Sequence, residues 1–450
     1  MRLSTKVLAG ACAVVMVAIT APVAMGAPGG KPGKPEIPGK PGKGAGYELG
    51  HEVLGPRDGW AAYGAGTSGG ASASPENVRT VTNRAELLAA LGPQNNDTPK
   101  IVYVEGTIDM NVDAAGNPLE CADFADPEYS LEAYLEAYDP ETWGMTARPS
   151  GPLEDARVRS YRNQSQHIYR VPSNTTLVGL GKDARIEGAA MYIRDARNVI
   201  VRNITFAEVE DCFPQWDPLD GSSGNWNSEY DAIWVYGSTN VWLDHNTFKS
   251  GGRPDTEYFG RPFMRYDGSV DITRGSDLVT VSWNHYDDYD KGMLIGGGDG
   301  HSEDIGKLRV TYHHNLFENV LQRSPRVRRG QVHVYNNHYL VNDEASGPFD
   351  YAWGVGLDSR IHAENNYFEG PIRPEQIAYR WNGTDLYETG TYLNGFGKKH
   401  RVDVVAEHNA ARPGQEIGTD VGWTPWLYEG ADPVAKAVKD IAKSAGAGRL

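Results

Sequence analysis

Positive charge and cysteine are both scarce in this chain of 450 residues. Its 43 lysines and arginines are outnumbered by 59 aspartates and glutamates, which leaves a formal net charge of -16. A nucleic-acid-binding role is disfavoured, because proteins that bind phosphate backbones carry a broad basic face. Apolar runs are scarce as well, and beyond residues 1–26 none is long enough to cross a bilayer. We therefore expect neither nucleic acid nor a membrane as a partner.

Residues 1–26 are predicted to be a signal peptide. Arg2 and Lys6 precede an apolar run over residues 7–23, and the residues that follow suit signal-peptidase cleavage before Ala27. A lipoprotein signal fits poorly, because Cys12 lies inside the apolar run. The mature protein is therefore expected to be secreted and extracellular.

Only Cys121 and Cys212 remain after this cleavage. In an exported chain two cysteines can form one disulfide, but their positions in the sequence do not place them within bonding distance. The pairing stays open at this point.

Composition divides the rest of the chain into three parts. Residues 27–46 are mostly glycine, proline and lysine, which cannot form a core and predict an extended linker. Residues 47–430 form the predicted domain, in which many glycines and prolines indicate tight turns rather than long helices. Residues 431–450 are rich in alanine and lysine and are predicted to be an exposed helix or a frayed tail.

A strand-and-turn unit recurs through the domain. Each unit has a short β-branched strand, an asparagine and then an aromatic residue; the units are residues 199–206, 241–248, 279–286, 310–317, 332–339 and 361–368. The aromatic residues are about 22 to about 42 residues apart, which suits stacked coils whose turns tolerate insertions. The pattern predicts an all-β protein, a parallel β-solenoid whose stacked asparagines hydrogen-bond from coil to coil.

One region interrupts the repeat. Residues 109–165 contain no such unit, and the acidic segment 127–138 has a partly amphipathic pattern. We expect a helical and loop insertion that decorates the coil, with a role in packing or end-capping.

Four arginines lie within seven residues, at Arg323, Arg326, Arg328 and Arg329. Alternation in an extended segment places Arg326 and Arg328 on one face and Val327 on the other. Guanidinium groups on one face repel one another unless an anion lies between them, and their planar forks suit carboxylate or phosphate. The simpler interpretation is a solvated strand edge whose arginines pair with acidic residues of the chain.

Three aspartates precede the arginines. Asp231 opens a predicted strand, and Asp267 and Asp271 are four residues apart, which puts both on one face of an extended segment. Carboxylates from neighbouring coils suit Ca²⁺, which accepts about six to eight oxygen ligands. Mg²⁺ fits less well, and no cysteine or histidine pattern of the kind that zinc prefers lies near them. Taken alone, the pair is more typical of a turn or cap than of a metal site.

Longer motifs point to a family. They are residues 213–217 (FPQWD), 221–231 (GSSGNWNSEYD), 242–245 (WLDH), 287–291 (DDYDK) and 322–328 (QRSPRVR). In this order they resemble the polysaccharide lyase family 1 pectate lyases, most closely the Bacillus-type extracellular enzymes, over about residues 46–395. The resemblance implies a right-handed parallel β-helix and Ca²⁺-dependent β-elimination on polygalacturonate, with unsaturated oligogalacturonates as products. A monomer is expected, because a solenoid can cap its own ends.

The resemblance assigns Asp231, Asp267 and Asp271 to calcium binding. Glu229 stands where some members of the family have a further acidic ligand and others do not, so its role stays open. The expected cofactor is Ca²⁺.

The resemblance makes Arg323 the base that abstracts a proton, and Lys291 and Arg328 the residues that bind uronate carboxylates. Pro325 stands where relatives have a cis-proline. An arginine with its normal pKa, above about 12, has no free lone pair. Nearby Ca²⁺, Lys291 and Arg328 would lower the pKa of Arg323, so an alkaline activity optimum is expected.

Other functions compete with this one. A hydrolase would use paired carboxylates such as Asp287, Asp288 and Asp290, but the Asn-Thr-Asp and Gly-His-Gly motifs of β-helical polygalacturonases are absent. A pectin lyase acting without Ca²⁺ would need neither the three aspartates nor Lys291. A solenoid that only binds polysaccharide would have no activity. His245 follows a predicted strand and is expected to be structural.

Overall fold

The computed structural model describes residues 46–251, 256–342 and 347–450. The predicted signal peptide at 1–26 and the linker at 27–46, except for its last residue, lie outside the described residues. In the described part, no helix is both long and apolar enough to span a membrane.

Short strands make up most of the regular structure. The first are β1 (Val78–Val81), β2 (Lys100–Asp109), β3 (Tyr169–Arg170), β4 (Thr175–Glu187), β5 (Met191–Arg194), β6 (Arg197–Arg202), β7 (Thr205–Ala207), β8 (Gln215–Asp217), β9 (Asn225–Asn227), β10 (Ile233–Tyr236), β11 (Thr239–Asp244), β12 (Thr247–Lys249), β13 (Glu257–Tyr258), β14 (Arg261–Pro262) and β15 (Val270–Thr273). The others are β16 (Asp277–Ser282), β17 (His285–Asp287), β18 (Leu294–Ile295), β19 (Val310–His313), β20 (Leu316–Glu318), β21 (Arg326–Val327), β22 (Gln331–Tyr335), β23 (His338–Leu340), β24 (Trp353–Gly356), β25 (Arg360–Glu364), β26 (Tyr367–Glu369), β27 (Ala378–Trp381), β28 (Leu386–Thr389), β29 (Thr391–Leu393) and β30 (Arg401–Val402).

Helices are few and lie mainly at the ends and in the insertion. They are α1 (Gly46–Leu49), α2 (Arg84–Leu91), α3 (Cys121–Phe124), α4 (Leu131–Ala137), α5 (Pro152–Ser165), α6 (Val404–Ala411) and α7 (Val434–Ser444). Short 3-10 segments occur at Trp60–Ala62, Pro75–Asn77, Ser302–Asp304, Pro374–Gln376 and Lys398–His400.

The strands pair mainly in parallel. Within the described ranges, an eight-stranded sheet has the order β27-β24-β21-β18-β15-β10-β5-β3. An eighteen-stranded sheet contains two further strands of each coil, such as β16 and β17 after β15. Coils stack in register, for example Val279 on Val310 and Val310 on Val332. The predicted parallel β-helix is confirmed.

Asparagines stack at one turn of successive coils. The asparagine ladder consists of Asn246, Asn284, Asn315, Asn337 and Asn366, all almost completely buried. Each of the first four donates its side-chain N–H to the side-chain oxygen of the next at 2.9–3.1 Å. The side-chain nitrogens also donate to backbone carbonyls of the preceding coil, as buried amides require. The predicted hydrogen bonding from coil to coil is confirmed.

The aromatic residues of the repeat form a second stack inside the coil. Neighbouring ring centroids are 4.2–5.6 Å apart and the planes differ by at most 14° along Phe206, Phe248, Tyr286, Phe317, Tyr339 and Phe368. Burial of these rings between the sheets contributes much of the core. The aromatic position of each predicted unit is therefore a core position.

The insertion between residues 109 and 165 contains α3, α4 and α5. The acidic segment predicted as a helix contains α4, which is shorter than the pattern indicates. Helix α5 is not among the predicted elements, although Pro152, Glu154 and Asp155 in its first turn are typical of a helix start. A disulfide between Cys121 and Cys212 ties α3 to the loop between β7 and β8. The sequence left the pairing of these two cysteines open, and the structure contains it.

Helix α7 is not an exposed or frayed tail. It packs Ala437 and Ile441 against Trp283 and Leu316 of the coils, and its lysines lie on the outer face. The alanine-rich pattern predicts a helix as one possibility, but its burial is not predicted, because the pattern does not show which surface would receive the helix.

Residues 432–448, which we call the C-terminal clasp, cross the turns of several coils. At one end the Asp432 N–H donates to Asn336 Oδ1 at 2.7 Å, and at the other the Gly448 N–H donates to Asn203 Oδ1 at 2.7 Å. Between them the Gly446 N–H donates to the Trp283 carbonyl at 2.8 Å. The clasp thus connects coils that do not touch one another directly.

Candidate active site

The residues singled out in the sequence collect at one edge of the eight-stranded sheet. Asp231, Asp267, Lys291 and Arg323 come just before strands β10, β15, β18 and β21, which are consecutive neighbours in that sheet. Because parallel strands begin at the same edge, the four side chains lie close to one another. Asp271 lies within β15 itself, so only one member of the predicted Asp pair is on a strand.

Two of the carboxylates flank a glycine. Asp231 Oδ1 accepts a hydrogen bond from the Gly268 N–H at 3.0 Å, and Asp271 Oδ1 accepts one from the Leu294 N–H at 2.8 Å. A Cβ on Gly268 would lie 2.7 Å from Asp231 Oδ1 and 3.3 Å from Asp271 Oδ1. A side chain here would fill the space between the two carboxylates, so glycine keeps that space open.

The carboxylates repel one another. Burial, followed by repulsion from Asp271 and Asp267, raises the pKa of Asp231 well above its ordinary value. Burial, followed by repulsion from Asp267, raises the pKa of Asp271 to about 7. Asp267 is partly compensated, because Lys291 Nζ donates to its Oδ1 at 3.1 Å. The group as a whole is short of positive charge.

These oxygen atoms suit a hard dication. As a set the three carboxylates are not all within 4.8 Å of one another among the described residues. Ca²⁺, with ligands at about 2.3–2.6 Å, accepts oxygens about 5 Å apart on opposite sides of the ion. The open space beside Gly268 and the raised pKa values of Asp231 and Asp271 therefore fit a bound Ca²⁺.

Arg323 faces this acidic group. Its backbone is left-handed, with φ 61°, the peptide bond between Ser324 and Pro325 is cis, and its Nε is buried without a hydrogen-bond partner. Burial acts to lower its pKa, but Asp267 and other acidic neighbours outweigh burial and raise it. Without metal, acidic neighbours therefore outweigh nearby cations at Arg323, and the expectation that bound Ca²⁺ lowers this pKa stays a prediction.

The two predicted carboxylate-binding residues already have partners. Besides the contact between Lys291 and Asp267, Arg328 Nε donates to Asp299 Oδ1 at 2.7 Å and Arg328 Nη1 donates to the Gly296 carbonyl at 2.9 Å. Asp299 is half exposed. The pair holds the guanidinium of Arg328 in one orientation along the eight-stranded sheet.

Arg326 is the residue whose surroundings the sequence analysis misses. Its guanidinium carbon lies 4.1 Å from the centre of the Trp381 ring. Burial, followed by repulsion from Arg328, lowers its pKa to about 10. Tyr351 and Tyr379 extend the aromatic group, with ring centroids 5.8 Å apart. The alternation of Arg326 and Arg328 was a usable signal, but the aromatic partners come from later coils.

The other candidate residues already have partners, and Asp290, which precedes Lys291, lies near the site, whereas His245 does not. His245 lies at a turn beside the eighteen-stranded sheet and stacks on Trp283, with the ring centroids 5.7 Å apart. Its Nδ1 lies 2.8 Å from Asp244 Oδ2. Asp287 pairs with Lys249, and Asp290 accepts a hydrogen bond from Gln322. These contacts are those of residues that stabilise coils.

The parallel coils thus carry acidic and cationic side chains together at one edge of the eight-stranded sheet. A family model described as pectate lyase matches residues 153–450. A pectate lyase of Bacillus subtilis (strain 168) is 47% identical over 410 residues, covering 90% of this chain and 94% of the relative. Pectate lyase E of Dickeya dadantii (strain 3937) is 31% identical, covering 87% and 86%. The chain belongs to the pectate lyase family and is a lyase.

Solved structures agree. The thermostable pectate lyase PL 47 is 48% identical, with a TM-score of 0.86, and the match covers 89% of this chain and 99% of that one. A pectate lyase from Acidovorax avenae subsp citrulli is 33% identical, with a TM-score of 0.80 and coverage of 89% and 96%. The fold is thus shared along almost the whole described chain.

Proposed function

We propose that this enzyme cleaves α-1,4-linked polygalacturonate, the demethylated form of pectin, by Ca²⁺-dependent β-elimination. The observation that carries the proposal is the sheet edge where Asp231 and Asp271, with raised pKa values, lie beside Arg323. A metal-bridged uronate would satisfy both the acidic and the cationic side chains. The products would be 4,5-unsaturated oligogalacturonates.

The residues would divide the work between binding and proton transfer. Asp231, Asp267 and Asp271 would hold Ca²⁺, which when bound supplies positive charge beside the uronate carboxylate. Glu229, two residues before Asp231, is exposed, and a role as a further ligand stays open. Lys291 and Arg328 would bind carboxylates of the polymer after exchanging their acidic partners for them.

Arg323 would take the proton from C5. The C5–H electron pair then forms the double bond to C4, and the C4–O bond breaks with its electrons moving to the leaving sugar oxygen. That oxygen takes up a proton and Arg323 releases the one it removed, so no net proton is gained or lost. Positive charge around the uronate carboxylate stabilises the developing negative charge more than the ground state. The reaction needs no water, which distinguishes it from hydrolysis.

The state of Arg323 predicts a pH dependence. Because acidic neighbours raise its pKa in the metal-free protein, bound cations must reverse this effect before Arg323 can accept a proton. Activity should therefore rise toward alkaline pH. An optimum below about pH 6 would contradict the assignment of the base.

Two relatives support the substrate. The B. subtilis relative is a pectate lyase, and a solved structure of a pectate lyase bound to a hexasaccharide is 46% identical, with a TM-score of 0.85 over 90% of this chain. An extended sheet edge shared with such a structure suits a linear polymer.

One assay separates the alternatives. Product formation is followed by the ultraviolet absorbance of the unsaturated uronate, on polygalacturonate and on methylated pectin, with added Ca²⁺ and with a chelator. The proposal predicts activity on polygalacturonate that the chelator abolishes. Activity on methylated pectin that persists in chelator would indicate a pectin lyase, new reducing ends without absorbance a hydrolase, and no reaction a binding protein.

The remaining assignments concern export and organisation. We propose that residues 1–26 are a signal peptide, 27–46 a linker, 47–430 the catalytic domain and 431–450 a C-terminal segment, and that the enzyme is extracellular and monomeric. The disulfide between Cys121 and Cys212 supports an oxidising compartment. Amino-terminal sequencing of protein collected from the medium, with light scattering of the same sample, tests these assignments.

A further inference from the structure

A second group of metal-ligating side chains lies away from the candidate active site. His285 and Asp287 are two residues apart in β17, so both point to the same face of the strand. Glu318, in β20 of the next coil, is the parallel partner of Asp287. One ligand atom from each of these side chains lies within 4.8 Å of the others. We call these three residues the His-Asp-Glu cluster.

The other such group among the described residues is not a metal site. It contains Cys121 and Cys212, whose sulfur atoms are already joined in the disulfide. In the His-Asp-Glu cluster, in contrast, the ligand atoms are held only by hydrogen bonds and ion pairs, which a metal ion could replace. All three side chains are half-buried and accessible from solvent.

The cluster is arranged before any ligand binds. His285 Nε2 lies 2.9 Å from Glu318 Oε2, and Asn342 Nδ2 donates to Glu318 Oε1 at 2.9 Å. Because paired strands hold both residues, a ligand would require little rearrangement of the backbone.

A lysine occupies one side of the cluster. Lys249 Nζ lies 2.5 Å from Asp287 Oδ2, and 45% of the Lys249 side chain is exposed. An ammonium group on a flexible, exposed chain can turn toward water when a dication replaces it. Lys249 therefore competes with a metal without blocking it.

We propose that His285, Asp287 and Glu318 form a binding site for a transition-metal dication of the Zn²⁺ class. One imidazole nitrogen and two carboxylate oxygens form a mixed donor set that suits Zn²⁺, with a further position left for water. The three aspartates of the sheet edge offer only oxygen atoms, and such a donor set suits Ca²⁺. The two sites would therefore select different ions.

The repeat provides an internal control. His338 in β23 and Glu369 in β26 form the same pair, with Nε2 and Oε2 3.0 Å apart. Leu340 occupies the position equivalent to Asp287, since Leu340 pairs with Glu369 as Asp287 pairs with Glu318. This second pair lacks one ligand and does not form a three-ligand group. The proposal predicts that the ion binds the first arrangement and not the second.

Zn²⁺ binding to the full chain, measured by calorimetry in excess Ca²⁺, tests the proposal. His285→Ala and Asp287→Asn should each weaken one site by at least about tenfold, since even changes outside the ligand shell weaken metal sites about 10- to 100-fold. Lys249→Met should tighten the same site, because it removes the competing ammonium. Leu340→Asp should add a second bound ion.

Two results would overturn the proposal. One is wild-type protein that binds Zn²⁺ no more tightly than His285→Ala. The other is a Leu340→Asp variant that keeps the wild-type melting transition and still binds no additional ion. Since none of these substitutions changes a residue of the candidate active site, either failure would leave the proposed lyase mechanism untouched.

Discussion

The asparagine ladder and the edge of the eight-stranded sheet use polar side chains in opposite ways. In the ladder, the amides of Asn284, Asn315 and Asn337 bond to the coils on both sides. At the sheet edge, Asp231 has a raised pKa and Arg323 Nε has no hydrogen-bond partner. The ladder completes its own hydrogen bonds, whereas the sheet edge keeps charges that a cation and an anionic polymer would complete. In the ladder the satisfied amides stabilise the fold, and at the sheet edge the uncompensated charges are available for chemistry.

The largest effect is expected at Arg323, whose Nε has no hydrogen-bond partner. Arg323→Lys keeps a positive charge but changes the position of the proton acceptor, so kcat should fall about 10²- to 10⁴-fold, as for loss of a general base. KM should change little. The ultraviolet absorbance of the product gives both constants, and near-normal turnover would exclude Arg323 as the base.

Breaking the ladder should affect stability and leave the chemistry intact. Asn315→Ala removes the oxygen that accepts from the backbone and side chain of Asn284, so buried donors lose their partner. The free energy of unfolding should fall by about 3 kcal/mol, as expected when buried polar groups are left unpaired. Denaturant titration measures this loss. Activity per folded molecule should equal that of the wild type, and a selective loss of kcat would show that ladder and site are coupled.

One substitution at Asp231 should raise the stability of the metal-free protein and weaken Ca²⁺ binding. Asp231→Asn removes a carboxyl group whose charged form is disfavoured by burial and by repulsion from Asp271, so at a pH high enough to ionise the wild-type carboxyl the metal-free variant should melt at a higher temperature than the wild type. The same change removes a proposed ligand, and the Ca²⁺ concentration for half-maximal activity should rise at least about tenfold. A variant that is destabilised in chelator would contradict the electrostatic argument.

Asp271 predicts how pH changes the stability of the metal-free protein. Its pKa is about 7 in the folded protein, against an ordinary 3.8, so the folded state holds the proton more tightly than the unfolded chain. This contribution to stability is present at low pH and is lost as the pH rises from about 4 to about 7. Melting temperatures measured in chelator across this range should show the loss. Added Ca²⁺ should reduce it, and an equal loss with Ca²⁺ present would argue against metal binding here.

The smallest effect is expected at Arg329, which belongs to the same run of four arginines as Arg323 and already has an acidic partner. Arg329 Nη1 lies 2.9 Å from Asp358 Oδ2, and 63% of the Asp358 side chain is exposed. The Arg329 side chain is 16% exposed and also donates to the Asp299 carbonyl at 3.0 Å, so Arg329→Gln should cost about 1–2 kcal/mol of stability. Its kcat should match the wild type, which makes it the control for Arg323→Lys. A large kcat loss would mean that the whole cluster acts as one unit.

The repeating part of the fold is predictable because each coil repeats the same local pattern. Asn284 and Tyr286, for example, occupy recurring positions of the predicted unit, and each stacks on its equivalent in the next coil. Helix α5 and the burial of α7 are less accessible to prediction. Their stability depends on contacts with distant residues, such as Ile441 with Trp283, which no local pattern encodes.

The candidate site also has a part that the sequence predicts and a part that it does not. The motifs bring the aspartates, Lys291 and Arg323 to one sheet edge, as their order in successive coils implies. The stacking of Arg326 on Trp381 and the raised pKa of Arg323 are absent from the sequence-based picture. Both depend on which side chains neighbouring coils place beside an arginine, and that depends on the lengths of the intervening turns.

The C-terminal clasp also bears on how the chain is made. A stack in which each coil touches only its neighbours can begin to form as soon as a few coils have left the ribosome, and it can fray from either end. Residues 432–448 are synthesised after every coil they cross, yet they bond to turns as early as that of Asn203. Completion of the stack therefore has to wait for this last segment. Once it is in place, loss of one coil disturbs contacts several coils away, so unfolding should proceed as a single cooperative event.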